Sequence, residues 1–394
     1  MKAWASRPGF WAVVLGVVAF SAYAATYADP TPFNHYVLLA DAFLHGRVDL
    51  IAPPDYLEHT TFRGRHYVIP PPGPALLLLP AVAVFGTRVD QSRFAALAGA
   101  VAAALALLVG ARLVPRRADY LWVGLLAAFG TIAWHMAATG STWLFAHVLV
   151  MTALTAGVLE VLGRQRPVAL GAAVAWAFLC RQPAIMTFPF FLLVTRPRWA
   201  PGGLRAVRRL DLRYLSRLVA PVALAVAANG LYNWVRFGTV ADVANPLREG
   251  ILQEPWFAQG LFHWSYIPRH LEIVFLKLPV ASPDPPYLLV PWTGMALWLT
   301  TPAFVYALRA RLTPETAAAW VGVLGVLLVV FTYGNPGVSQ FGYRFASDIY
   351  PLLLLLAVRG MGERVPALAK VLILVGVLVN AWGVVWMRLG WVAP

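Results

Sequence analysis

DPTPFNHYVLLADAFLHGRVDLIAPPDYLEHTTFRGRHYVIPPPGP, residues 29–74, separates two apolar runs near the start of this 394-residue chain. The stretch follows the apolar residues 10–28, and three consecutive prolines precede the next apolar run. It contains four of the eight histidines of the chain and five of its 17 Asp and Glu residues. A polar segment this rich in titratable groups, placed between two candidate membrane helices, predicts one wall of an active site at the membrane surface.

The composition indicates a polytopic helical membrane protein. Hydrophobic residues make up 60% and charged residues 12% of the sequence, and the mean hydropathy is +0.68. Soluble domains carry roughly 25% charged residues. The apolar runs are continuous rather than alternating, which favours spanning helices over the strands of an outer-membrane barrel. No internal repeat is detectable, so we expect residues 1–394 to form a single transmembrane domain. The single cysteine, Cys180, excludes a disulfide framework and a multi-thiolate metal site.

The net charge of +14 arises from short basic clusters between the apolar runs. Such clusters are typical of cytoplasmic loops under the positive-inside rule. They indicate membrane topology and contact with anionic lipid headgroups, and we expect no nucleic acid partner. The clusters contain Arg112, Arg116 and Arg117; Arg164 and Arg166; the arginines between positions 196 and 217; Arg309 and Arg311; and the basic residues between positions 359 and 370.

The N-terminal apolar run, residues 10–28, is interpreted as a membrane anchor. Lys2 and Arg7 precede it, so the positive-inside rule places residues 29–74 on the outer side of the membrane. A cleaved signal peptide is the alternative, because Ala22-Tyr23-Ala24 resembles a small-residue cleavage site.

Several of the later apolar segments are shorter than the roughly 20 residues that a straight span needs. Segments 168–180 and 184–195 predict two short helices that meet at Arg181 on the outer side, which keeps this charge away from the bilayer centre. The arrangement requires a half-helix at 74–87, and it places five segments on one face: 29–74, 139–147, Arg181, 238–290 and 334–344. The remaining apolar segments are 94–113, 119–137, 142–163, 215–237, 290–308, 316–333, 346–358 and 366–388.

The second large outer loop, residues 238–290, is rich in aromatic residues and prolines. It is interpreted either as an aromatic belt on the lipid headgroups or as a lid over a lipid-linked substrate. Among the acids of the first loop, Asp49, Asp55 and Glu58 are interpreted as solvated.

Three polar residues outside the first loop are candidates for function or for structural pairing. Arg344 lies at a predicted helix start, where it either binds a phosphate or pairs with Asp348 at a spacing of i, i+4. His147 follows the turn at 139–142, and histidine is the commonest acid/base side chain in enzymes.

The first loop carries a resemblance to a known family. Asp29 directly follows the first span, a surface helix over residues 35–45 ends in His45-Gly46, and Gly64-Arg65-His66-Tyr67 precedes a Pro-Pro entry to the next helix. In that helix Val37, Leu38, Ala40, Phe43 and Leu44 face lipid or core, and His35, Asp41 and His45 lie near the other face. This pattern resembles the GT-C superfamily, and within it the bacterial branch of lipid A aminoarabinose transferases and protein O-mannosyltransferases.

The resemblance implies an all-α bundle of about 10–12 helical segments in the plasma (inner) membrane, with an outer juxtamembrane loop layer. It implies a polyprenyl-phosphate sugar as donor, a lipid, glycan or protein acceptor, and an active site that faces outward. Asp29 corresponds to the acid that acts as catalytic base or metal ligand. The segment around Arg181 resembles one that usually carries a lysine near the donor phosphate.

The expected mechanism follows from these residues. Asp29 deprotonates the acceptor hydroxyl, and Arg181, with Arg344 or Arg65, stabilises the departing lipid phosphate. The residues expected to assist are His35, His66, Asp41 and His147. The only cofactor considered is a divalent metal ion, with Asp29 and His35 as its ligands.

Two other functions remain open from the sequence. One is a flippase or transporter for a lipid-linked saccharide, which broken helices in two matching halves would favour. The other is a catalytically silent GT-C-like scaffold that binds lipid, because residues 139–147 lack the second acid that relatives often carry there.

Overall fold

The computed structural model describes residues 7–27, 29–201 and 210–393. Lys2 and the arginines at positions 205, 208 and 209, which belong to the predicted basic clusters, lie outside the described residues. In the N-terminal half the helices are α1 (Pro8–Thr26), α2 (His35–Leu44), α3 (Gly73–Phe85), α4 (Gln91–Leu113), α5 (Arg117–Phe129), α6 (Ala133–Thr139), α7 (Thr142–Val161), α8 (Pro167–Cys180), α9 (Phe188–Val194) and α10 (Arg196–Trp199). The later helices are α11 (Leu212–Phe237), α12 (Ile267–Phe275), α13 (Leu297–Thr300), α14 (Pro314–Thr332), α15 (Tyr350–Met361) and α16 (Ala367–Arg388).

The prediction of an all-α polytopic membrane protein is confirmed. Within the described ranges six helices are long and apolar enough to cross a membrane, and the pair α5 and α6, bent by 50°, makes a seventh. The spanning candidates are α1, α4, α7, α11, α14 and α16. Four shorter apolar helices accompany them: His35–Leu44, Gly73–Arg88, Pro167–Cys180 and Gln182–Val194.

The predicted break at Arg181 is present. Helix α8 ends at Cys180, Arg181 is extended with φ of −153°, and a 3₁₀ segment, Gln182–Thr187, leads into α9. Pro183 has no N–H to donate to a continuing helix, which accounts for the change of direction. The chain therefore places an arginine at a break between two half-length helices.

The apolar segment 290–308 does not form the helix expected from its composition. It contains the strand Leu288–Pro291, the single turn α13 and a 3₁₀ segment, Pro302–Arg309. Gly294 has φ of +84°, and Pro302 cannot donate to a helix that would run through it. The two residues divide the segment.

Two small sheets belong to a loop layer. Strands β1 (His59–Phe62) and β2 (Arg65–Val68) form an antiparallel hairpin in the register His59↔Val68. In the second sheet, β3 (Val280–Ala281) is antiparallel to β4 (Leu288–Pro291), which is parallel to β5 (Val392–Ala393). The hairpin turns at Arg63-Gly64, where both residues have positive φ, as a tight two-residue turn requires.

The two large loops pack on each other rather than lying apart. Thr60 Oγ1 donates to the carbonyl oxygen of Ala244 at 2.5 Å, and Arg236 Nη1 donates to that of Val68 at 2.8 Å. Tyr67 and Phe237 form an edge-to-face pair at 5.3 Å within the same buried cluster as Ala244. The Thr60–Ala244 bond thus joins residues 29–74 to residues 238–290, and the last turn of α11, with Arg236 and Phe237, binds the hairpin beside it.

Close approach of backbones holds the bundle together, as small residues permit in membrane proteins. A Cβ added at Gly171 of α8 would overlap the carbonyl oxygen of Leu218 in α11. Helix α8 ends next to Arg181, so this contact fixes the position of the break relative to α11.

The substitution Gly171→Ala is expected to destabilise the protein by about 1–3 kcal/mol, because the new methyl group can be accommodated only by separation of α8 from α11. The measurement is the thermal unfolding midpoint of the purified protein in detergent. Gly9→Ala in α1 is the matched control, because nothing lies within 4 Å of its Cβ position. An unfolding midpoint of Gly171→Ala equal to that of the control would contradict the close packing.

Candidate active site

A cavity of about 1070 Å³ lies between the bundle and the loop layer. Residues from all five segments that the sequence analysis placed on one face line this cavity. Its apolar wall includes Val329 and Val330 of the spanning candidate α14. Its acidic, basic and histidine lining residues are Asp29, His35, Glu58, His135, Arg181, Asp242, Arg248, Glu254 and Arg344.

Arg181 is held by a buried carboxylate. Its Nε donates to Asp348 Oδ2 at 2.8 Å, while the other oxygen of Asp348 accepts from His147 Nδ1 at 2.6 Å. The side chains of Asp348 and His147 have no exposed surface, whereas that of Arg181 is 18% exposed. Arg181 therefore reaches the cavity with a counter-ion behind it.

Arg344 differs from Arg181 and Arg248, the other two arginines of the cavity lining, in having no acid partner. Its Nη1 donates to the carbonyl oxygen of Val338 at 2.9 Å and to Gln340 Oε1 at 3.2 Å, and both acceptors are neutral. Within the described part of the chain no carboxylate lies within 4 Å of Arg344. Burial lowers the pKa of Arg344 to about 10, and the charge of Arg181 acts in the same direction. At neutral pH Arg344 is still a cation, and one without an acid partner.

The Arg344–Asp348 pair considered in the sequence analysis does not form. Residues Arg344–Ile349 are a 3₁₀ segment rather than an α-helix. With three residues per turn, side chains four positions apart point in different directions. Asp348 consequently turns to Arg181 and His147.

Asp29 is exposed and lines the cavity. The segment that follows it is anchored. Thr31 N donates to Ser92 Oγ at 3.2 Å, and the carbonyl oxygen of Phe33 accepts from Thr142 N at 3.1 Å. Pro30 and Pro32 further restrict this backbone. Contacts to α4 and α7 therefore hold the segment beside Asp29 against the bundle.

His35 is buried, contrary to the amphipathic pattern expected for α2. Its Nε2 donates to the carbonyl oxygen of Glu58 at 3.1 Å, and its Nδ1 lies 2.9 Å from the hydroxyl of Thr142, from which it can accept. The same hydroxyl lies 2.8 Å from the carbonyl oxygen of Phe33, so its single proton serves one of these two acceptors at a time. Polar groups beside both ring nitrogens make the inward placement possible. Burial lowers the pKa of His35 to about 4, so the ring is neutral. At the other end of the helix Leu44, expected to face lipid or core, is 45% exposed.

The pair Asp29 and His35 does not fit a metal ion. Both nitrogens of His35 are already hydrogen-bonded to protein groups, so neither is free to act as a ligand. No group of three or more His, Cys, Asp or Glu residues with metal-binding geometry occurs in the described ranges. We therefore derive no step through a metal.

Three residues of the expected site do not line the cavity. Arg65 lies on the hairpin, with Nη1 3.8 Å from Asp49 Oδ1. His66 Nδ1 is bonded to Thr61 Oγ1 at 3.1 Å, and Asp41 faces His45 across 3.7 Å. His147 also lies outside the lining and reaches the site through its hydrogen bond to Asp348 and its ring contact with Phe345.

Glu58 is exposed, as expected for a solvated acid, but it also has a charged partner that the sequence analysis did not predict. Glu58 lines the cavity, with Oε1 3.3 Å from Arg248 Nη1, and Arg248 also pairs with Glu254. Glu58 and Arg248 lie 190 positions apart, in different loops. No spacing signal in the sequence could have indicated this cluster.

Of the comparisons with known proteins, the one with solved structures bears on the fold. No protein-family model and no curated protein matches the sequence. The chain is similar to the crystal structure of ArnT from Cupriavidus metallidurans bound to undecaprenyl phosphate, with 15% sequence identity and a TM-score of 0.54. This match covers 89% of the chain and 60% of ArnT.

Two further structures give weaker scores. ArnT from Cupriavidus metallidurans in the apo state has 16% identity and a TM-score of 0.49, over 89% of this chain and 59% of that chain. The archaeal oligosaccharyltransferase AglB from Archaeoglobus fulgidus, in complex with an inhibitory peptide and a dolichol-phosphate, has 13% identity and a TM-score of 0.47, over 95% and 56%. The conclusion rests on the undecaprenyl-phosphate complex. The chain shares the fold of this ArnT structure, which agrees with the helical bundle expected from the sequence, and it spans about three fifths of the ArnT chain that it matches.

The pKa of His35 leads to a prediction about acid stability. The unfolded chain takes up a proton on His35 near its ordinary pKa of about 6.5, but the folded protein does so only near pH 4. Between these pH values the unfolded state binds more protons, so stability falls as the pH falls. We expect His35→Gln to reduce the drop in thermal midpoint between pH 7 and pH 4.5. The exposed His45, on the same helix, provides the matched control His45→Gln. An unchanged drop in the His35 variant would contradict the buried neutral ring.

Proposed function

We propose that the protein is a membrane glycosyltransferase that moves a sugar from a polyprenyl-phosphate donor to an acceptor hydroxyl. The observation that carries the proposal is the charge distribution in the cavity. Two guanidinium groups, of Arg181 and Arg344, face a space that also contains the exposed carboxylate of Asp29. Asp348 is the one carboxylate paired with either guanidinium in the described residues, and it sits behind Arg181. Arg248, the third arginine of the lining, is paired with Glu58 and Glu254. The positive charge is therefore local to Arg181 and Arg344, where two cations share one paired carboxylate, and there it suits an anion such as a phosphate.

The residues divide the reaction between them. Asp29 accepts the proton of the acceptor hydroxyl as its oxygen attacks the anomeric carbon. The bond between that carbon and the phosphate oxygen breaks, and its electron pair leaves with the lipid phosphate. Arg181 and Arg344 stabilise the negative charge that develops there, since fixed donors are most effective where charge accumulates.

The shape of the cavity supports a donor with a lipid tail. Polar residues of the loop layer form one part of the lining, and Val329 and Val330 of the spanning candidate α14 form another. A polyprenyl phosphate needs the same combination, because its phosphate requires polar partners while its tail remains in hydrocarbon. ArnT, whose fold the chain shares, has been crystallised with undecaprenyl phosphate bound.

The proposal places the cavity on the outer face of the plasma (inner) membrane. Helix α7 begins beside the cavity, which Ser141 and Trp143 line, and its 20 residues extend about 30 Å away from it. Arg164 and Arg166 follow the far end of α7. Basic residues mark the cytoplasmic side of membrane proteins, so the cavity end is the outer one.

The first test is turnover of a panel of radiolabelled polyprenyl-phosphate sugars by the purified protein. Asp29→Asn should reduce the rate of sugar transfer by about 10²–10⁴-fold, because a general base contributes that much. Binding of the unglycosylated polyprenyl phosphate should remain, since Asp29 is assigned to the acceptor. Asp55→Asn is the matched control, an exposed acid of the same loop that does not line the cavity.

If Asp29→Asn left the rate of sugar transfer unchanged, Asp29 would not be the base. A wild-type protein that binds polyprenyl phosphate without transferring any sugar would indicate a lipid-binding scaffold. Movement of intact donor across a vesicle membrane, without transfer, would indicate a flippase.

The second prediction concerns the arginines. Arg344→Gln should raise the dissociation constant for polyprenyl phosphate by about 10-fold or more, because it removes a charged hydrogen-bond donor from a half-buried site. Arg65→Gln should leave the constant unchanged, because Arg65 lies on the hairpin outside the cavity. Equilibrium binding of radiolabelled lipid in detergent measures both. The reverse order of effects would move the phosphate site to the hairpin.

A further inference from the structure

We propose that Asp348 is a positioning residue for anion recognition, which holds Arg181 by Nε and directs its terminal nitrogens into the cavity. The inference rests on the proposed function in one respect: the anion is taken to be the phosphate of a polyprenyl phosphate. It concerns binding alone, so it can be tested without sugar transfer.

Asp348 holds Arg181 through only one of the N–H groups of its guanidinium. Asp348 Oδ2 accepts from Arg181 Nε at 2.8 Å, and Oδ1 accepts from His147 Nδ1 at 2.6 Å. A guanidinium has five N–H groups, and Nε carries only one of them. The four N–H groups of Nη1 and Nη2 make no recorded hydrogen bond to residues in the described ranges. They remain available for a bidentate contact with a phosphate.

Arg181 and its partner Asp348 differ in solvent exposure. The side chains of Asp348 and His147 are completely buried, whereas that of Arg181 is 18% exposed and lines the cavity. An ion pair that served only to stabilise the fold would have no need to present one partner to the cavity. In this pair the carboxylate is buried and the guanidinium is accessible from the cavity.

Arg344 places a second positive charge near that of Arg181. The guanidinium carbons of Arg181 and Arg344 lie 5.3 Å and 5.1 Å from the centre of the same ring, that of Phe345. Two cations near one ring repel each other, and Asp348 supplies the negative charge that offsets this repulsion. His147 holds the second carboxylate oxygen, so the acid cannot rotate away from Arg181. Asp348 thereby keeps Arg181 in place near Arg344 at the lining of the cavity.

A double-mutant cycle with Asp348→Asn and Arg181→Gln tests the proposal on the full-length protein. Asparagine keeps the volume of aspartate. Its amide oxygen can accept from Arg181 Nε, and its amide nitrogen can donate to His147 Nδ1 once the histidine proton moves to Nε2, so the variant can fold. The measured quantity is the dissociation constant for radiolabelled undecaprenyl phosphate in detergent, with the thermal midpoint recorded for each variant.

We expect Asp348→Asn to weaken binding on the order of tenfold when Arg181 is present, and by less than about twofold in the Arg181→Gln background. A carboxylate that acts through Arg181 has nothing left to position once the guanidinium is gone. Glu315→Gln is the matched control. It removes an acid bonded to two nitrogens of Arg359, at 2.8 and 3.0 Å, outside the cavity lining.

Equal weakening in both backgrounds would overturn the proposal and leave Asp348 a purely structural role. Absence of undecaprenyl phosphate binding by the wild-type protein would overturn it as well. Failure of the proposed function is distinguishable from this. If the protein binds the lipid and shows the expected coupling but transfers no sugar, Asp348 is still a positioning residue and the protein is not a transferase.

Discussion

The buried carboxylate of Asp348 is the interaction on which the geometry of the cavity depends. It joins three elements that are far apart in sequence: α7 through His147, the helix break through Arg181, and the 3₁₀ segment that precedes α15. A charge without exposed surface is tolerated only when it is paired and hydrogen-bonded, and removal of one partner leaves an uncompensated buried charge. The network therefore fixes the relative positions of the three walls.

The loop layer closes the cavity through a different kind of contact. Backbone acceptors dominate here, in the bonds from Thr60 to Ala244 and from Arg236 to Val68. Charged side chains are added at the cavity lining, where Arg248 joins Glu58 of the first loop to Glu254 of the second. Long loops are stable in this form because each satisfies the polar groups of the other. The aromatic second loop accordingly contributes to the cavity wall, in addition to any contact with headgroups.

The sequence predicted the elements of the fold better than their contacts. Continuous apolar runs identified the spanning helices, and the short runs around Arg181 identified the break, because length and polarity relative to the bilayer are local properties. The placement of His35 could not be predicted in this way, because its burial depends on a hydroxyl from α7 and a carbonyl oxygen 23 residues further on. The pairing of Glu58 with Arg248 and of Arg181 with Asp348 depends likewise on tertiary contact. Residue type indicated which groups carry chemistry, but not which of them meet.

Half-length helices explain how this chain can bring cations to a lipid-bearing ligand. A straight span that carried Arg181 at its centre would place a guanidinium in hydrocarbon at a cost of about 2.5–3.5 kcal/mol or more. Ending α8 at Cys180 instead exposes Arg181 to a polar cavity, while apolar residues of α14 line the same cavity. Irregular backbone is tolerated at membrane depth only where protein or water surrounds it. The break in the helix, the polar cavity and the buried acid behind Arg181 therefore each contribute to keeping its guanidinium out of hydrocarbon.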